Sequence, residues 1–207
     1  MTVATRRERE QQVRRETIIE AARKLFHDKG YELTTVEEIA VMAELGKGTI
    51  YSYFKSKDEI YIAILESEFA VLEERMKQAI EDSTTAENAL HKLYETFIQY
   101  NQERPSFIKA IFLQVEQYPS LKVTDIVKGL KEKTTEWSKL VGRVLQKGID
   151  NGEFEDLSVD KMANTIIGMV LGLIIQLEMG LIKEDLSSYR DTLFRLLLDG
   201  ISRREGN

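Results

Sequence analysis

Between residues 35 and 54 the chain spells out two short helices joined by a tight turn, and few local patterns restrict a fold more. Thr35-Val36-Glu37-Glu38 has the form of a capping box, in which the Thr35 hydroxyl accepts from the Glu38 amide and the Glu38 carboxylate reaches back. Val36, Ile39, Ala40 and Ala43 then recur at helical spacing, and Glu44-Leu45-Gly46 makes the turn. Residues 47 to 54 are too few for a helix that stands alone in water. Their helix must be held by packing Ile50 and Phe54, which lie four apart and face inward.

The flanks complete a three-helix head over residues 1 to 57. Ile18, Ala22, Leu25 and Phe26 form the apolar stripe of a first helix, which Gly30 can end with a left-handed residue. Ser56-Lys57-Asp58-Glu59 reads as a second capping box, opening a helix that runs to about Ile80 and begins the body, residues 58 to 207.

The free face of the second short helix carries Lys47, Gly48, Thr49, Tyr51, Ser52 and Tyr53: a cation, a residue without a side chain, hydroxyls and phenols. This is a composition for close contact with a polyanion. Gly48 costs roughly 1 kcal/mol against alanine inside a helix, but it lets the backbone approach a sugar-phosphate strand. Tyrosines in a small head can equally be core aromatics. Here Ile50 and Phe54 already fill the inward positions, so Tyr51 and Tyr53 are expected on the surface. Thr34 or Thr35, at the start of the preceding helix, and Lys57, at the positive end of the next, are placed to take a phosphate.

Charge supports this through its distribution. The formal net charge is −6, yet residues 1 to 60 hold 11 basic and 11 acidic side chains, so the deficit lies in the body. Arginines 6, 7, 9, 14 and 15 form a basic N-terminal arm, and residues 45 to 57 contain three lysines and no acid.

Thr34-Thr35-Val36, Ile39-Ala40 and Ala43, followed by Lys47-Gly48-Thr49-Ile50-Tyr51, Tyr53-Phe54 and Lys57, resemble the DNA-binding head of the TetR family of transcriptional regulators. The resemblance implies that Thr35, Thr49, Tyr53 and Lys57 contact backbone phosphates and that Lys47, Gly48 and Tyr51 lie nearest the base edges. Two departures are visible. Glu44 stands where the family often has a turn glycine, and Gly46 where it often has a helix-capping serine.

The body reads as helical throughout, without strand alternation or repeats, so the expected fold is all-α: a helix-turn-helix head and a helical bundle, about nine helices in all. Pro105 and Pro119 bracket one helix with Phe107, Ile108, Ile111, Phe112 and Val115. Val123 to Leu145 marks a long one, Ser158 caps an apolar one running to about Met179, and a last extends from about Leu186 to Arg203. The region 162 to 182 is the most apolar, but polar residues leave 166 to 175 too short to span a bilayer. It reads as a buried helix, with no membrane partner.

That helix is apolar nearly all round, and the final one has a stripe of Leu186, Tyr189, Leu193, Leu196, Leu197 and Ile201. Both need more partners than one subunit offers. A homodimer follows, with Ile167, Gly168, Leu171, Gly172, Ile175, Leu193, Leu197 and Ile201 at its interface, as the family resemblance also implies. Two heads one duplex turn apart would read a palindromic operator on double-stranded DNA.

The resemblance further implies a small-molecule pocket in the body. Phe97, Tyr100, Phe112, Trp137, Met169 and Gln176 are its candidate lining, although such aromatics are more often plain core. Few charges would line it, which favours an apolar or amphipathic effector such as a drug-like compound, a fatty acid or an acyl thioester. The resulting reading is a repressor released by its effector.

Other classes find less support. There are no cysteines, His27 and His91 offer no metal-ligand spacing, and no phosphate loop or nucleophile elbow occurs, so neither an enzyme nor a cofactor is expected. The N-terminus starts with no apolar stretch, which fits a cytoplasmic protein rather than a secreted one. The alternative is a helical binding or adaptor protein whose head has lost specific DNA recognition.

Overall fold

A computed structural model describes residues 5–104 and 123–201, the side chains of 123–127 and 201 excepted. Its elements are α1 (Arg6–Lys29), α2 (Val36–Met42), α3 (Lys47–Tyr53), α4 (Lys57–Glu81), α5 (Ala86–Glu103), α6 (Val123–Asp150), α7 (Val159–Glu178), a 3-10 turn (Leu186–Tyr189) and α8 (Arg190–Ile201). No strand occurs among the described residues, so the chain is all-α. The helix expected between Pro105 and Pro119, with Phe107, Ile108, Ile111, Phe112 and Val115, lies outside them, as does Arg203. The chain divides into two compact units at Glu68 and Phe69, inside α4.

In the first unit, Ile18, Ala22, Ile39, Ala40, Ile50, Phe54 and Ile60 form one buried cluster, with Leu25, Phe26, Leu45 and Tyr53 packed against it. Ile50 and Phe54 hold α3 as their spacing predicts. Both residues of the Thr35 capping box are in place. The basic arm is not an arm. Thr5 and Glu8 form a capping box of their own, and α1 starts at Arg6, so the arginines lie along helix. Gly30 ends α1 at φ +82°, but its ψ of 163° makes it an extended residue with positive φ rather than a left-handed helical one.

In the second unit Gly148 lets the ring of Phe154 lie on α6: a Cβ there would sit 2.3 Å from the ring and 2.8 Å from the Ala86 Cβ. The neighbouring Glu153 carboxylate accepts from the amides of Ala86 and Glu87 at 2.8 and 3.2 Å, capping α5. Ser158 occupies the N-cap of α7 without making a cap hydrogen bond. Contrary to expectation α7 is not a buried helix: only Met162, Ala163 and Ile174 are buried. By length and composition its 20 residues suffice to cross a bilayer.

Candidate DNA-binding face and effector cavity

The α2–α3 turn places its strain at one residue. Glu44 takes φ +55°, the left-handed region, at the position where a glycine would be at ease. Its neighbour Gly46 starts α3 with no side-chain cap. Beyond the turn, Lys47, Gly48, Tyr51 and Ser52 are exposed and Thr49 is half-buried, so α3 presents a polar face. The Lys47 ammonium pairs with Glu37 on α2 and lies 5.8 Å from the centre of the Tyr51 ring. That pairing raises the Lys47 pKa and lowers that of Glu37. Ser52 donates to the Thr49 carbonyl at 2.7 Å.

Four expected contact residues make hydrogen bonds or core contacts within the head itself. Thr34 is 1% exposed, and its hydroxyl donates to the Gly30 carbonyl at 2.8 Å; it closes the end of α1 and does not face outward. Thr35 is exposed, but its hydroxyl donates to the Glu38 carboxylate at 2.8 Å. Tyr53 is half-buried against the head's core rather than free on the surface. The Lys57 ammonium donates to the carbonyls of Tyr31 and Thr34 at 2.8 and 2.9 Å and lies over the Tyr31 ring. The Tyr31 phenol in turn donates to Asp58; burial first, then that carboxylate, push its pKa up. Lys55, one of the three lysines of residues 45 to 57, is exposed one residue past Phe54.

The second unit holds a half-open cavity of about 60 Å³, lined by residues from five helices: Met76 of α4, Leu90, Leu93, Tyr94 and Phe97 of α5, Trp137 and Val141 of α6, Ile166, Ile167, Val170 and Leu171 of α7, and Leu193, Phe194 and Leu197 of α8. None of these side chains carries a charge. The Tyr94 hydroxyl donates to the Leu186 carbonyl at 2.6 Å, and burial raises the phenol's pKa. The Trp137 Nε1–H is buried and has no acceptor among the described residues.

The profile for bacterial regulatory proteins of the tetR family matches residues 18–64, and that for the C-terminal region of YsiA-like proteins matches residues 65–200. The chain belongs to the TetR family. A fatty acid metabolism regulator protein of Bacillus subtilis (strain 168) is 28% identical over 193 residues, spanning 90% of this chain and 95% of that one. The crystal structure of a transcriptional regulator FadR from Bacillus subtilis in complex with stearoyl-CoA matches with a TM-score of 0.70 at 26% identity, over 89% of this chain and 98% of that one. A TetR transcription regulator from Haloarcula marismortui shares the fold, with a TM-score of 0.77 at 19% identity over 93% of this chain and 100% of its own. As a TetR-family protein, the chain is a ligand-responsive, DNA-binding transcriptional regulator.

Within this TetR body the expected lining and interface residues change places. Phe97 and Trp137 line the cavity, but Tyr100, Met169 and Gln176 do not; Tyr100 is buried, with the Arg75 guanidinium 5.2 Å from its ring centre, and Gln176 is exposed. Phe112 lies outside the described residues. Ile167, Leu171, Leu193 and Leu197, expected between subunits, line the cavity instead. Gly168, Gly172 and Ile175 remain on an open face, where a Cβ added to either glycine would meet nothing within 4 Å. Leu196, part of the apolar stripe of the last helix, is 67% exposed, and the side chain of Ile201 is not described.

Proposed function

We propose that this regulator is a cytoplasmic repressor that binds a palindromic operator as a homodimer and releases it when an acyl thioester enters the cavity. The observation that carries the DNA-binding half is the exposed polar face of α3, with Lys47, Gly48, Thr49, Tyr51 and Ser52 on it. Lys55 and the α1 arginines add phosphate contacts at its margins, and Thr35 and Tyr53 contribute through the geometry they give α2 and α3. Residues 1 to 57 supply this recognition and the remainder supplies effector binding and dimerisation.

The open faces of α7 and α8 support the dimer. Gly168 and Gly172 permit close helix approach, and Ile175 and Leu196 are apolar groups that a second copy would cover. The effector class rests on the uncharged cavity and on the acyl-CoA bound by the Bacillus subtilis FadR. Drug-sized sites commonly hold some 300–1,000 Å³, so a cavity of about 60 Å³ must widen to admit a long chain. Helices that part to make that room are the means by which binding biases the heads. By linkage, operator DNA must weaken effector binding by the same factor.

Selection of bound sequences from a random duplex pool tests the DNA half. Enrichment of a palindrome is expected; no enrichment leaves the adaptor reading. Release of that palindrome by stearoyl-CoA, with sedimentation as a dimer at micromolar concentration, tests the rest. Sedimentation as a monomer sinks the dimer.

A further inference from the structure

Trp137 is 4% exposed and forms part of the wall of an uncharged cavity, and its Nε1–H finds no acceptor among the described residues. Buried donors are nearly always paired, so each exception calls for a physical account. Reorientation offers none, because the indole is held edge-on by two rings: Phe69 at 5.7 Å and Phe97 at 6.1 Å between centres. The cavity's other polar group, the Tyr94 hydroxyl, donates to the Leu186 carbonyl and accepts nothing from the indole. A trapped water is poorly served as well. Ordered buried waters make about two to four hydrogen bonds, and the described lining offers this one free donor.

We infer that the Trp137 Nε1–H receives an uncharged carbonyl oxygen of the effector, and that the regulator thereby distinguishes an acyl thioester from a plain alkyl chain. This rests on the acyl-effector reading above. The wall has no cation to neutralise a carboxylate, so a free fatty acid would bury its charge uncompensated, whereas a thioester carbonyl brings an acceptor without a charge. Hydrophobic burial fixes affinity for the chain. The indole adds the chemical discrimination, since a site with an unpaired donor penalises a ligand lacking the acceptor.

The full-length protein is titrated with stearoyl-CoA and with its S-octadecyl thioether analogue, which keeps the chain and the nucleotide but lacks the carbonyl. Stearoyl-CoA is expected to bind about fivefold tighter, the worth of one hydrogen bond. In Trp137→Phe both ligands lose whatever packing the indole supplied, and their ratio falls to about one. Trp137 is the sole tryptophan, so wild-type fluorescence reports the same event without a variant: emission moves to longer wavelength with the thioester and not with the thioether. Equal affinities in the wild-type protein, identical emission with both ligands, or a fivefold ratio retained in Trp137→Phe would overturn the inference alone. Failure of both ligands to bind overturns the acyl-effector reading with it.

Discussion

The Lys57 ammonium lies 2.8 Å from the carbonyl oxygen of Tyr31 and 4.2 Å from the centre of the same residue's ring, tying the first turn of α4 to the chain between α1 and α2. A lysine at this place in the family pattern implies a phosphate contact, but this one already donates to three backbone carbonyls, those of Tyr31, Glu32 and Thr34. Lys57→Met keeps the stem and removes the donors, so the head should lose about 1–2 kcal/mol of stability. Operator affinity should fall through that loosening, while the slope of log affinity against log salt stays at the wild-type value. Lys55→Met should leave stability alone and reduce the slope by about one. A slope reduced by one in Lys57→Met would return that residue to the phosphate role.

Glu44 is held at φ +55° by the α2–α3 turn, a conformation that costs an L-residue roughly 1–2 kcal/mol. Glu44→Gly removes that strain at the expense of a more disordered unfolded chain, for a net gain of about 1 kcal/mol. Urea unfolding should show a higher midpoint with the same slope. Glu44→Ala should show no such gain.

Gly148→Ala drives a methyl group into Phe154 and Ala86 and should destabilise the body by about 1–3 kcal/mol. In a Phe154→Leu background, where the ring is gone, the same substitution should cost less. Equal costs in the two backgrounds would mean that Phe154 is not what Gly148 makes room for.

The Glu38 carboxyl is held down to about 2 from its ordinary 4.5, first by the hydrogen bond from Lys29 and then by those from Thr35. Folded, it takes up a proton less readily than unfolded. Its contribution is therefore fully present above about pH 4.5 and is lost as pH falls toward 2. The thermal midpoint of the head should drop across that window, and Glu38→Gln should flatten the drop while lowering the midpoint at pH 7.

Much of the head was legible because its determinants are local. A capping box joins residues three apart, and Ile50 and Phe54 share a face by helical spacing alone, so neither depends on distant chain. Thr5-Arg6-Arg7-Glu8 carried the same signal for the start of α1, but its arginines invited a reading by charge instead. Thr34 and Lys57 look like surface groups in sequence for the opposite reason: their partners, the carbonyls of the chain between α1 and α2, have no signature there.

By itself the sequence determined the order of the described helices, the helix-turn-helix and the family, since caps, spacing and turn residues act within a few positions of one another. Tertiary structure alone decided which faces of α7 and α8 look into the cavity. A helix that is apolar nearly all round gives no direction to its burial, so Ile167 and Leu171 could be told from Gly168 and Ile175 only by what packs beside them. The indole of Trp137, without an acceptor among the described residues, belongs to the same class of fact, because a missing acceptor becomes visible only when the neighbours are packed around it.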